Sequence, residues 1–580
     1  MKVFSLILVS MCSLLLSGVA LGSGADLAAC IEQEDIPGGV IVSVGADSID
    51  DAAALSKDGA FLVHALFTDE DKFEKAQSDI AAKSLAGKVT ASLFDGTAMP
   101  LVDRAVNVLI AGESERIARS ELMRVLAPRG VLLRKRKGKW ETTRKPVPTT
   151  IDDWTHNLYN AGNTAVSDDR EAGALRHMQW TGGPAFSRSH DGNSSFIAMV
   201  SAGGRLFYLM DEGSTAFLSL PSKWNLVARD GFNGKVLWRR ALDQPMLMHV
   251  GGIKNSTASL GHRLVAQEDA VYVTLGYNAP VTALDSRTGE VLWTNEGTIN
   301  AQELILLDGT LYCVINLSTD NIAKDPFHST DSFRRTAAAT IPRKLVALNA
   351  KTGTLLWEKT PPKILPLSLT AGDSGLFLHD GSAIVCMDPK RGDERWRSEP
   401  IEFYGKLQQY SGVNVVLKDG VLLYACGTAY PHKSRDHESD WKNTITALDA
   451  KTGKLLWRAP HRQDGIFVTP DLLVADGLVW HAPIDSGHSS GYYQGLDLKT
   501  GKVVRDLQPE KRGQMPHHRC YRNRATERFL FTGWTGVNTF DVKSGEWDHN
   551  YWLRGACRYG VMPANGLLFN TPSVCTCFIT

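Results

Sequence analysis

The densest set of side chains that could do chemistry lies between Lys511 and Gly560. Nine Lys/Arg stand there against four Asp/Glu, in a chain whose 63 basic and 63 acidic residues otherwise cancel. His517, His518, Arg519, Arg522 and Arg524 follow one another closely, and Arg554 and Arg558 sit among Trp552 and Tyr559. Guanidinium forks beside aromatic rings suit an anion such as a carboxylate, a sulfate or an acidic sugar. The plainer alternative is a stapled loop whose arginines pair with local acids. Cys520, Cys557, Cys575 and Cys577 crowd the last 61 residues. In an oxidising compartment they favour two disulfides, with three pairings open. Beside His517 and His518 the same thiols could hold a soft metal, but the spacing matches no zinc module and no metal site is assigned. A second pair, His190-Asp191, has the make-up of a poised base or of an ordinary hydrogen-bonded histidine.

These groups need elements to hold them, and the chain supplies two alphabets. Met1-Lys2-Val3, an apolar run over residues 4–16 and small residues near Ala20 have the order of a secretory signal peptide, expected over residues 1–22. The mature chain is then expected to be exported, periplasmic or extracellular in a bacterial envelope, with no transmembrane segment. The charge balance argues against a nucleic-acid partner. Cys313, Cys386 and Cys426 lie in apolar strands and read as buried thiols. Residues 36–145 alternate apolar strands with helical patterns, which predicts a small α/β Rossmann-like domain with a parallel sheet. Residues 134–148 read as a basic, proline-punctuated connector, and residues 146–200 as connector and loops.

From residue 201 to 580 one phrase returns: an apolar strand, an Asp, a Gly four residues on and a Trp eight residues on. Residues 445–457, ITALDAKTGKLLW, state it in full, and it recurs at Asp230/Gly234/Trp238, Asp285/Gly289/Trp293, Asn349/Gly353/Trp357 and Asp388/Gly392/Trp396. It weakens at Asp497/Gly501/Arg505 and Asp541/Gly545. The Asp caps a turn, the Gly supplies its left-handed residue and the Trp packs between units. Seven phrases, with an eighth apolar strand at Gly566-Leu-Leu-Phe, predict a mainly β chain: an eight-bladed propeller with its last blade incomplete. Either residues 185–200 complete that blade or the sequence is C-terminally truncated; truncation is the expectation.

Both halves resemble known families. The order of parts in 36–145, with Phe94-Asp95-Gly96 and residues 121–130, resembles a degenerate class I S-adenosylmethionine-dependent methyltransferase. That resemblance implies cofactor contacts at Gly45, Asp69 and Asp95, although residues 44–48 keep one glycine of the family's loop and Phe67 stands where its ribose-binding acid belongs. The repeat resembles the pyrroloquinoline-quinone (PQQ) type propellers shared by quinoprotein alcohol dehydrogenases and the outer-membrane assembly lipoprotein BamB. On the enzyme side this implies a PQQ-dependent periplasmic oxidoreductase using PQQ with calcium, but the adjacent Cys-Cys of that group is replaced by Cys575-x-Cys577. On the binding side it implies a scaffold that takes an envelope protein, an acidic small molecule or a glycan at one propeller face. With no intact catalytic motif, the binding scaffold is the leading expectation; the oxidoreductase and the methyltransferase follow.

Overall fold

The computed structural model describes residues 23–45, 48–112, 117–188, 195–217, 220–244, 246, 258–317, 341–401, 413–426, 444–461, 471–481, 494–507, 522–533, 536–556 and 559–572. It divides into two compact units, Met1–Lys145 and Pro146–Thr580.

In the first unit, strands β1 (Gly39–Val44), β2 (Phe61–Phe67), β3 (Val89–Leu93), β4 (Val106–Ala111), β5 (Leu126–Arg136) and β6 (Lys139–Arg144) form one sheet in the order β3-β2-β1-β4-β5-β6. The first five pair in parallel, and β6 is antiparallel to β5. Helices α1 (Ser23–Gln33), α2 (Asp50–Leu55), α3 (Glu70–Ala82) and α4 (Arg119–Val125) accompany it. Two apolar clusters use alternate residues of the same strands: Ile41, Val63 and Val108 in one, Val42, Leu66 and Leu109 in the other. A sheet buried on both sides requires such unbroken apolar strands. The basic stretch read as connector is instead a hairpin. Lys137 and Gly138 adopt φ of 49° and 76°, which turns the chain back so that Lys139–Arg144 pairs with Val131–Arg136.

Among the described residues the second unit consists of seven antiparallel blades, six of four strands and a seventh whose four strands are joined by a short parallel fifth, Val166–Ser167, followed by a two-stranded sheet, Val561–Ala564 with Leu567–Asn570. The innermost strands are Phe196–Ala202, Leu264–Ala266, Ala301–Leu307, Thr370–Gly372, Val413–Lys418, Leu473–Ala475 and Arg524–Thr526. The expectation of eight blades with an incomplete last one is thus met by seven blades and a hairpin. Residues 196–202 start the first blade rather than finishing the last. Cys313, Cys386 and Cys426 are buried thiols.

Each repeated phrase does what its residue types dictate. Asp449 Oδ1 accepts the N–H groups of Lys451 (3.1 Å) and Thr452 (2.8 Å), and Gly453 sits at φ 71°. The Trp of one blade lies over the phrase glycine of the next and donates Nε1–H to the carbonyl following the next Asp. Trp238 reaches Ser286 O (3.1 Å), Trp293 Ala350 O (3.0 Å), Trp357 Pro389 O (3.0 Å) and Trp457 Leu498 O (2.9 Å). Where the phrase weakens, Arg505 Nη1 takes over and donates to Val542 O at 3.1 Å.

The ring closes with a residue from outside the repeats. Trp180 donates Nε1–H to Gly231 O at 2.9 Å and covers Gly234, the same duty toward the first blade. Its ring stands 6.2 Å from Phe569 of the terminal hairpin, and the Tyr559 hydroxyl donates to Met199 O of the first blade. Trp180 and the hairpin therefore fill the place between the seventh blade and the first.

Candidate functional site

Residues 152–165, without periodicity in the sequence, make one circuit over one end of the propeller. N–H groups near the ends of six of the seven inner strands, and one in the hairpin turn, donate to it: Asn565 to Asp152 O (2.7 Å), Ser201 to Trp154 O (2.8 Å), Ala266 to Thr155 O (3.0 Å), Leu306 to His156 Nε2 (3.0 Å), Ala371 to Ala161 O (2.9 Å), Leu417 to Gly162 O (2.9 Å) and Ala525 to Ala165 O (2.9 Å). Inner strands that diverge leave buried donors which need acceptors, and an irregular segment can supply them in turn. β7 (Val166–Ser167) ends the circuit by pairing in parallel with Arg524–Thr526. Trp154 is fully buried in the core this segment shares with the first, sixth and seventh blades. The central channel is sealed at this end.

Cations collect on the floor so formed. Arg524 is 1% exposed, with its guanidinium 3.9 Å from the Tyr559 ring centre and 5.0 Å from that of Trp154. It donates to Asn157 O (3.1 Å) and Val561 O (3.3 Å), while its Nε–H has no acceptor among the described residues. Burial pushes Arg524 below the ordinary arginine range, with Tyr559 opposing. Arg522 donates Nε–H to Asp471, which also accepts Asn523 N–H at 2.8 Å. The Asn523 amide is fully buried, and neither its nitrogen nor its oxygen has a partner among the described residues.

Two histidines stay neutral beside these arginines. His156 Nε2 accepts from Leu306, so its proton sits on Nδ1 toward Thr155 Oγ1, 2.8 Å away. Burial pushes His156 down to about 4. His262 is pushed to about 3, by burial and then by the charges of Arg522 and Arg524. The floor thus offers cationic forks, neutral imidazoles and one carboxylate, Asp471, which is already engaged. That set suits an anion. It does not fit the calcium that a bound quinone needs, and among the described residues no group of three His, Cys, Asp or Glu could hold a metal ion.

Of the residues singled out in the sequence, Arg522 and Arg524 meet on this floor, and Arg554 is buried at 5% exposure. His190, Asp191, His517, His518, Arg519, Cys520, Cys557, Arg558, Cys575 and Cys577 lie outside the described residues. Sequence reasoning missed His156, Asn157, His262 and Asp471. Only the aromatic and polar character of Trp154-Thr-His156 could have pointed to that floor.

In the first unit, Gly45 ends β1 beside β4, where the strand order reverses, with φ 67° and its N–H bonded to Leu66 O at 3.1 Å. Such a switch point is where doubly wound sheets bind nucleotides. The carboxylates are otherwise occupied. Asp69 caps α3 by accepting Lys72 N–H at 3.0 Å. Asp95 accepts from Thr97 N (2.8 Å), Thr97 Oγ1 (2.8 Å) and Ala98 N (3.2 Å), bonds that hold its carboxyl below the usual range. Phe67 is a core residue, 2% exposed.

Solved structures similar to the chain include a protein from Methanococcus maripaludis assigned as an S-adenosyl-L-methionine-dependent methyltransferase, at 21% identity over 19% of this chain and 52% of that one, TM-score 0.18. YcgJ from Bacillus subtilis is similar at 17% identity over 19% and 49%, TM-score 0.17. Geranyl diphosphate C-methyltransferase from Streptomyces coelicolor A3(2) is similar at 14% over 19% and 43%, TM-score 0.18. The chain spans about half the length of these structures. No curated protein matches it. The family described as outer membrane protein assembly factor BamB matches residues 155–324 and 380–519, more than half of the sequence and most of the blades, and this chain belongs to that family.

Proposed function

We propose that this chain is an exported binding scaffold, which takes an acidic group, free or carried by an envelope protein, through the propeller face opposite the 152–165 segment. The observation that carries the reading is Arg524: a desolvated guanidinium held between two aromatic rings, with no carboxylate hydrogen-bonded to it among the described residues and its Nε–H unused. Among the described residues Asp471 is the carboxylate that favours the Arg524 charge, and it is shared with Arg522; burying two guanidinium groups against one carboxylate is costly, and an incoming anion would relieve that cost. Arg522 and the unpartnered Asn523 amide add donors and an acceptor beside it. Calorimetric titration of the full chain with citrate and with trigalacturonate, at low and physiological salt, tests it. Saturable binding that weakens with salt is expected; no binding of either anion at low salt overturns the reading.

A further inference from the structure

A second recess lies on the flank of the first blade, away from the channel floor. It is a cleft of ≈ 420 Å³ between the 183–188 stretch and the blade's second, third and fourth strands. That volume falls within the range of small-molecule sites. Its charged lining is Arg188, Asp211, Glu212, Arg229 and Arg239, and Phe186 stands at its edge, 63% exposed.

Among the described residues the charges do not cancel. Arg188 pairs with Asp211 at 3.0 Å, both nearly excluded from solvent, and Arg239 pairs with Glu212 at 3.2 Å. Arg229 is 7% exposed and, among the described residues, has only neutral acceptors: the Tyr208 hydroxyl (2.8 Å), Gly234 O (2.7 Å) and Gly183 O (2.6 Å). Those bonds use three of the five N–H groups a guanidinium carries. The cleft therefore keeps one uncompensated positive charge with donors to spare, beside an exposed phenyl ring. Internal ion pairing sets the other two arginines aside, so a ligand with one negative charge balances the site and a dianion overshoots it.

The geometry points to a second ligand site in this cleft, for a small monocarboxylate on an apolar body: the carboxylate accepts from Arg229 and the body packs on Phe186. The site is independent of the channel floor and of the function proposed for it.

The test uses the full chain and calorimetry with 3-phenylpropanoate against 3-phenylpropanamide, which has the same shape and no charge. The acid is expected to bind at one site at least tenfold more tightly than the amide. Arg229→Gln should remove that preference. Because Arg229 also ties Tyr208, Gly234 and Gly183 together, Phe186→Ser at an exposed position serves as the second variant; it should weaken acid and amide alike, severalfold. Lys451→Gln, at an exposed turn of the fifth blade, should leave the acid's affinity unchanged. Equal binding of acid and amide, no binding of the acid, indifference to Phe186→Ser, or loss through Lys451→Gln would each overturn the assignment.

Discussion

Replacing Trp180 by Ala should open the propeller at its seam. Trp180 makes the same pair of contacts as the repeat tryptophan Trp293: an Nε1–H bond to a carbonyl of the next blade, 2.9 Å against 3.0 Å, and close cover of a left-handed glycine, Gly234 against Gly353. Full truncation of a buried Trp costs about 3–5 kcal/mol. Both rings are only part-buried, so about 2–3 kcal/mol is the expectation for either Ala variant. Trp180→Phe keeps most of the ring and loses one hydrogen bond, worth about 1 kcal/mol. A cooperative unit of roughly 400 residues unfolds with an entropy near 2.1 cal/mol/K per residue, so these costs translate to falls of about 3 °C and about 1 °C. The assay is the propeller's thermal transition followed by near-ultraviolet dichroism, because a two-unit chain need not melt in one step. If Trp180→Ala melts with the wild type while Trp293→Ala drops by about 3 °C, Trp180 is no part of the ring and the closure described above is wrong.

Three further outcomes follow from named contacts. Gly353 has φ 70° and a Cβ there would stand 2.5 Å from Trp293, whereas a Cβ on Gly309, φ 73°, meets nothing within 4 Å. Gly353→Ala should therefore cost about 2–4 kcal/mol and Gly309→Ala about 1, compared by denaturant midpoints. Glu303 is buried, accepts Leu367 N–H at 2.6 Å, and is pushed by burial from 4.5 to about 7. The folded chain holds that proton where the unfolded one has lost it, so this contribution is complete below pH 4.5 and is lost as pH rises through about 7. Glu303→Gln should flatten that slope, worth up to roughly 3 kcal/mol, in melts taken across the window; an unchanged slope contradicts it. Titration of the full chain with S-adenosylmethionine should give no binding heat, since Asp69 caps α3, Asp95 is engaged by Thr97 and Ala98 of its own turn, and Phe67 replaces an acid; micromolar binding would refute that reading.

The repeat was legible because its physics is local. Asp, Gly and Trp at fixed spacing each meet one need of a turn or a blade contact, and Arg505 shows the need surviving when the residue changes. Trp180 was not legible, because its strand partners lie in the first blade and the terminal hairpin, far away in sequence, and no Asp–Gly turn precedes it. The 152–165 segment escaped for the opposite reason to the blades: it bonds to a different strand every residue or few, so no period of 2 or 3.6 can form. Tyr159, Asn163 and Ala165 take left-handed φ of 76°, 55° and 51° to follow that path. The hairpin at β5–β6 was hidden by its lysines and arginines, which mark an exposed edge strand as readily as a linker.

The central claim is that binding belongs to the face opposite the sealed end. Calorimetry with trigalacturonate on the wild type, on Arg522→Gln at the channel floor and on Lys451→Glu at an exposed turn of the sealed face tests it most directly. Arg522→Gln is predicted to weaken binding at least tenfold and Lys451→Glu to leave it within about twofold, as one screened surface charge should. Loss through Lys451→Glu with Arg522→Gln unaffected would contradict the account.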